Sequence, residues 1–253
     1  MSYFSRFLAS GFLGISLVLL VNSAQAFSPR EPLVDTTRYA ELLETYVMPD
    51  GVAYEQWFNH AEDLQALDLV LERWAQIPVD DLSPTEQKAF YINLYNAGML
   101  QAVFQNYPLK SVKNIGFLPF SIFKKDFIQL GDEMLSLDDI EKGILLKTFP
   151  DPRIHFAVNC ASESCPPLRA EPFRSAVLEA QLDEQTRLFA ESDRAARIIQ
   201  KKRYAYSELF NWYDSDFAGE HPAEYLNRYR SESLPTTGKF DWIPYDWSLN
   251  AVK

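Results

Sequence analysis

The strongest constraint on what this chain can fold into is the stretch that opens at Ser83. Ser83-Pro84-Thr85-Glu86 reads as a helix start, with Ser83 as N-cap, Pro84 at the first helical position and Glu86 closing a capping box. The helix is predicted to run to about Asn106, where Tyr107-Pro108 ends it. From Ala89 to Leu109 the sequence carries no charged side chain. A helix that is apolar on all sides must be buried nearly all round, so the rest of the chain has to wrap it. Asn93, Asn96 and Gln101 interrupt the apolar run, which marks a core helix rather than a membrane span.

Shorter elements flank it. Thr36 to Val47 has helical spacing, with Tyr39, Leu42, Leu43 and Tyr46 on one face, and Pro49-Asp50-Gly51 stops it. A second helix is predicted from about Ala61 to Gln76, turning Leu64, Leu67, Leu71 and Trp74 inward. Phe127 to Leu130 and Glu133 to Leu135 read as a hairpin around Gly131-Asp132, and a helix follows from Ser136 to about Lys147. Ile154 to Asn159 alternates as a strand, with Ile154, Phe156 and Val158 on one face and His155, Ala157 and Asn159 on the other. An amphipathic helix runs from about Arg174 to Glu191. Ile198 to Tyr206 reads as a hairpin around Lys201-Lys202, and Tyr206 to Phe217 and His221 to Tyr229 as helices. The last segment is a Pro- and Trp-bearing tail. No internal repeat or linker appears. The expected fold is one α+β domain over residues 27–253, mostly helical with a small antiparallel or mixed sheet.

Residues 1–26 read differently. Arg6 precedes an uncharged, Leu-rich stretch from Phe7 to Val21, and Ala24-Gln25-Ala26 has the A-x-A spacing of a signal-peptidase site. The stretch is shorter than the ~20 residues needed to span a bilayer. The expectation is a signal peptide cleaved after Ala26, with the remainder periplasmic or secreted and not stably inserted in a membrane. Composition then excludes partners. A net charge of −11 argues against nucleic acid or an anionic lipid surface, which take clustered Lys and Arg. Only nine Gly are present, and neither G-x-G-x-x-G nor G-x-x-x-x-G-K-[ST] occurs, so a glycine-cradled nucleotide cofactor is not expected. The residues name no cofactor, and no partner can be assigned.

Chemistry concentrates in Arg153 to Leu168. This run holds His155 and both of the chain's cysteines, Cys160 and Cys165, at the end of an expected strand, where function tends to be mounted. Four readings compete. In the first, Cys160 and Cys165 form a structural disulfide that staples the loop, worth roughly 2 kcal/mol for so short a ring, in a binding or scaffold domain; an even count and export favour it. In the second the pair is a redox couple, although C-x4-C departs from the C-x-x-C of thiol oxidoreductases. In the third a cysteine is a nucleophile, with His155 as its base and Cys165 capping a short helix begun by Pro166. In the fourth, His155, Cys160 and Cys165 hold zinc, one ligand short of a closed site. His60 and His221 fall at helix starts and read as capping or solvated groups.

Supporting groups lie elsewhere. Asn93 and Asn96, an i,i+3 pair on the buried helix, need partners for their carboxamides. They read first as a network clamping the helix to the cysteine loop, and alternatively as orienting His155. Asp138 and Asp139 suit a first helical turn, whereas Glu141 sits further in and is the acid expected to pair with Arg153 or His155. Tyr245-Asp246-Trp247-Ser248-Leu249-Asn250 reads as a tail docked in a groove, or as one wall of a pocket.

At these positions the chain resembles the bacterial and plant domain of unknown function 547. The matching segments are Ala89 to Ala97 (AFYINLYNA), Lys110-Ser111-Val112, Leu135 to Glu141 (LSLDDIE), Arg153 to Pro166, Tyr245 to Asn250 (YDWSLN) and, more weakly, Ser207 to Tyr213. They span nearly the whole mature chain in order. Tyr91 stands where the family often has Trp. The resemblance places Asn93, Asn96, Glu141, His155, Cys160, Ser164, Cys165 and Pro166 among the family's motif positions. It implies no agreed activity; some members look like fusions to a glutaredoxin-type or DEP domain, which favours the redox reading by association alone.

Overall fold

The capping box at Ser83 forms. Glu86 accepts the Ser83 N–H at 2.8 Å, and Ser83 Oγ accepts the Glu86 N–H at 3.4 Å. The computed structural model describes Met1 and residues 33–200 and 203–253. The expected signal peptide and the Lys201-Lys202 turn lie outside the described residues.

Leu33–Lys253 is one compact unit. It opens with α1 (Thr37–Tyr46), which buries Tyr39, Leu42, Leu43 and Tyr46, the stripe its spacing predicts. A short hairpin, β1 (Val47–Met48) and β2 (Gly51–Val52), leads to α2 (Tyr54–Phe58) and α3 (Ala61–Trp74). In α3, Leu67, Leu71 and Trp74 are buried together with Ala66 and Val70, while Leu64 is half-buried. Next comes α4 (Pro84–Gln105), buried from Ala89 almost without interruption to Phe104. The hairpin β3 (Ile128–Leu130) and β4 (Glu133–Leu135) lies so close to α4 that a Cβ on Gly98 would stand 2.4 Å from Ile128 Cδ1. A side chain at residue 98 would force Ile128 to move.

Beyond the hairpin, Asp139–Leu145 winds as a π-helix and continues into α5 (Leu146–Thr148). A four-residue helix, α6 (Ile154–Ala157), precedes the cysteine loop. Then follow α7 (Leu178–Ala190), the hairpin β5 (Ala196–Gln200) and β6 (Arg203–Ser207), α8 (Leu209–Trp212), a 3-10 turn over Asp214–Phe217, and α9 (Pro222–Leu226). β7 (Asp241–Ile243) pairs in parallel with β6, so the three-stranded sheet is mixed. The architecture is α+β, mostly helical with small sheets. Among the described residues no helix is long and apolar enough to cross a membrane.

Two expectations change. Ile154 to Asn159 is not a strand: it is α6 followed by extended chain. The segment lies between two hydrophobic cores. Ile154, Ala157 and Val158 pack into the core around α4, and Phe156 into a second core built by Phe189, Phe210, Phe217 and Tyr225. A segment buried on every side carries no amphipathic period, so its alternation of small and large residues misleads. The expected Tyr206–Phe217 and His221–Tyr229 helices also shorten. Tyr206 and Ser207 belong to β6, Ala218 sits at φ 57 and stops the 3-10 turn, and α9 ends at Leu226. His221 caps α9, its Nδ1 accepting the Ala223 N–H at 3.1 Å.

Candidate active site

The two cores leave a cavity of about 400 Å³ between α4, the π-helix, α6, α8 and the C-terminal tail. His155, Cys160 and Cys165 all line it, as do Glu141, Tyr213 and Tyr245. Its outer wall is aromatic: Phe120 and Phe123 meet Trp247, which stacks on Trp212 at 5.9 Å. Polar groups on the floor and rings at the mouth are the usual make-up of a small-molecule site.

The cysteine loop is held from three directions. Asn96, from α4, donates to the Ala157 carbonyl at 3.0 Å and accepts the Asn159 N–H at 2.8 Å. Asn159 in turn bridges the loop, donating to the Pro166 carbonyl at 2.7 Å and accepting the Ala161 N–H at 2.9 Å. Asn250, from the tail, donates to Asn159 Oδ1 and accepts from the Tyr54 hydroxyl at 2.9 Å. These buried carboxamides are satisfied, and a satisfied buried network fixes one geometry. It holds Ala161 at φ 57, an uncommon angle for a residue with a Cβ. The tail closes the loop as an added strand: Glu163 and Ser164 donate to the Ser248 and Asp246 carbonyls, and Ser164 Oγ accepts the Asp246 N–H at 2.8 Å. Asn93 bonds elsewhere: it clamps Phe173 through both backbone groups at 2.8 Å. Both Asn residues therefore secure backbone, and neither orients His155.

The expected disulfide is absent. Both cysteines are free, Cys160 half-buried and Cys165 buried. Cys165 Sγ accepts the Cys160 N–H at 3.0 Å, while Cys160 Sγ faces Ser162 Oγ at 3.0 Å and the Tyr245 hydroxyl at 3.4 Å. Burial raises the Cys160 thiol, but hydrogen bonds from Cys165, Ser162 and Tyr245 and from the Ser162 N–H outweigh it and bring the pKa to about 7. Cys165 moves the other way, pushed up by burial, by its hydrogen bond to Cys160 and by the charge there. The loop thus pushes the two thiols in opposite directions, Cys160 down and Cys165 up. No helix begins at Pro166, so Cys165 caps nothing.

His155 occupies another wall. Its Nε2 lies 2.8 Å from Asp216 Oδ2, and its ring packs on Tyr213 at 4.0 Å. With the carboxylate as acceptor, Nε2 carries the proton and Nδ1 keeps the lone pair. Burial lowers the ring's pKa against the opposing pull of Asp216 and Glu141, and the net shift is downward. Glu141 pairs with neither expected partner. It accepts from the Tyr213 hydroxyl at 2.7 Å, while Arg153 is taken by Asp151, Glu179 and Asp183. No hydrogen bond joins His155 to Cys160 among the described residues. There, too, no group of three or more His, Cys, Asp or Glu is placed to hold a metal ion, so the zinc arrangement does not form.

Asp216, Tyr213 and Ser162 are site residues that sequence reasoning did not single out. Asp216 lies 61 residues along the chain from His155, and only the packing of the Asp214–Phe217 turn against α6 brings it to the imidazole. Tyr245 was legible as part of a docked aromatic tail, though its role beside the thiol was not.

The chain is an α+β protein with an aromatic-walled cavity that His155, Cys160 and Cys165 line. Residues 79–190 match the family model described as "Protein of unknown function, DUF547", which supports the resemblance drawn from the motifs. No curated protein and no solved structure matches the chain.

Proposed function

We propose that the protein is a thiol-dependent enzyme acting on a small molecule held in this cavity, with Cys160 as nucleophile. The observation that carries the reading is the Cys160 sulfur itself, lining the cavity with a pKa near 7 and hydroxyls on two sides. A thiolate at neutral pH attacks an electrophilic carbon without a separate base. In an acyl transfer, the Sγ–C bond forms, the bond to the leaving group breaks, and water or a second nucleophile resolves the thioester. The Ser162 and Tyr245 hydroxyls, 3.0 and 3.4 Å from the sulfur in the resting site, are beside the carbon that acquires negative charge on its oxygen. The His155–Asp216 pair is the proton carrier of the cavity, with Nδ1 free to accept.

The test is acylation by an activated aryl ester followed by peptide mass mapping. One acyl group on Cys160, none on Cys165, and loss of turnover in Cys160→Ala are expected. An unlabelled Cys160, or a Cys160→Ala variant with full turnover, overturns the proposal.

A second reading rests on how closely the loop holds the two cysteines, with Cys165 Sγ accepting the Cys160 N–H at 3.0 Å. Cys165 is placed to resolve a mixed disulfide on Cys160, as a thiol–disulfide oxidoreductase requires. Cys165→Ser separates the two: it abolishes disulfide turnover but leaves acyl transfer standing. We also infer export, on the Arg6 to Ala26 pattern. A secreted chain beginning at Phe27 is the expected product, read by intact mass, and an unprocessed N-terminus counts against it.

A further inference from the structure

The loop between α4 and β3 presents side chains that folding leaves unused. Phe117 is 99% exposed and Leu118 63%. They are not the tip of a slack segment. Ile115 and Ile122 are buried on either side, Ser121 Oγ donates to the Ile115 carbonyl at 3.1 Å, and the Ser121 N–H donates to the Leu118 carbonyl at 3.1 Å. Gly116 sits at φ 91, and a Cβ there would meet Ser121 Oγ at 2.2 Å. The loop is therefore a fixed finger with an apolar end. Phe120, next along it, packs on Trp247 at 4.6 Å, so the finger stands at the mouth of the cavity.

Lysines flank this finger in sequence. Lys110, Lys113, Lys124 and Lys125 fall on its two arms, and Asp126 is the sole acid between residues 110 and 126. None of the four lysines forms an ion pair among the described residues, whereas Lys142, across the mouth, is paired with Asp138 at 2.8 Å. Lys113 Nζ lies over the Phe120 ring at 5.3 Å. In a chain of net charge −11, four unneutralised lysines around an exposed Phe-Leu pair are a local reversal. The overall charge that argued against a lipid surface is the wrong scale for this patch.

We propose that the Phe117–Leu118 finger docks the cavity mouth onto an anionic membrane surface, the two apolar side chains entering the interface and the lysines meeting lipid headgroups. Apolar side chains with flanking lysines are the combination that binds such a surface without spanning it. A second copy of the chain is disfavoured as occupant, because two lysine collars would face each other across the contact. The proposal stands apart from the thiol chemistry and is read without it.

The experiment uses the full chain with Phe117→Trp, the parent chain as reference, and vesicles of phosphatidylcholine containing one-third phosphatidylglycerol. The added indole is expected to shift to the blue on these vesicles, to be quenched by lipids carrying a shallow acyl-chain quencher, and to be released by raised salt. Because the readout is the finger itself, any binding through the apolar Phe7–Val21 stretch does not produce it. Lys124→Ala/Lys125→Ala is expected to weaken the quenching isotherm by about 25-fold, at about fivefold per lysine, and Phe117→Ser/Leu118→Ser to leave the vesicle-bound fraction at the level of neutral vesicles. An indole unshifted on anionic vesicles overturns the proposal, as does one already shielded before lipid is added. A light-scattering dimer that Phe117→Ser/Leu118→Ser converts to monomer overturns it in favour of contact between copies.

Discussion

A thiol with a pKa near 7 is about half ionised at neutral pH, and what brings Cys160 there is hydrogen bonding from Cys165, Ser162 and Tyr245. Its stabilisation is a set of oriented donors, so it should be removable one donor at a time. In Tyr245→Phe, and separately in Ser162→Ala, the pH midpoint for alkylation of Cys160 should move up from about 7 toward the ordinary thiol range. A midpoint unmoved in both variants would show that neither hydroxyl holds the thiolate. His155 makes a different residue-scale prediction. Its folded pKa lies below the reference 6.5, so below that pH the unfolded chain takes up a proton that the folded chain refuses. Stability therefore falls as pH drops from 6.5 toward the folded pKa, and His155→Gln should flatten the urea midpoint between pH 6.5 and 5.5. At this scale the sequence was readable where residue type alone decides: two cysteines and a histidine near one another in the chain do share a cavity. It was unreadable where partners arrive from far away. Nothing between residues 155 and 216 signals that one helix turn will deliver Asp216 to the imidazole.

Elements were legible in proportion to how one-sided their surroundings are. α1 has one wet face, so its spacing gave its buried stripe, and α4 declared itself through its capping box and its lack of charge. α6 has no wet face at all, because it lies between two cores, and a periodicity argument has nothing to work on there. The same burial explains why Asn96 matters more than its single side chain implies: it joins α4 to the backbone on both sides of α6's exit. Asn96→Ala leaves an N–H and a carbonyl without partners, and at ~1–3 kcal/mol per buried orphan a loss of about 3 kcal/mol is expected in urea unfolding. Cys165 should become alkylatable at the same time, since the loop above it loosens. Ser83→Ala makes the contrasting case. It removes the Oγ of the cap while leaving the core intact, so a loss of about 1 kcal/mol with an unchanged Cys160 alkylation profile is expected.

For the whole molecule, the decisive fact is that the site is assembled from the middle of the folded unit and its C-terminal end. The family match over residues 79–190 contains both cysteines, His155, Glu141 and the two Asn clamps. Tyr213 and Asp216 come from beyond it, and the thiolate's Tyr245 comes from a tail that returns across the fold. That tail pairs with three separate regions, Ser248 with Ser111, Leu249 with Ser162, and Ala251 with Val52, and Asn250 completes the carboxamide chain from Tyr54 to Asn159. The core around α4 does not depend on it, because Trp247, Leu249 and Ala251 only pack on its rim. Deleting residues 245–253 should then leave a helical, cooperatively unfolding protein that has lost the site. Far-UV circular dichroism should retain most of its amplitude, the alkylation midpoint of Cys160 should rise out of the neutral range, and Cys165 should be labelled at a comparable rate. A deleted chain that kept a Cys160 midpoint near 7 would mean that the loop alone activates the thiol. A deleted chain that lost its helices would mean that the tail holds the fold as well as the site.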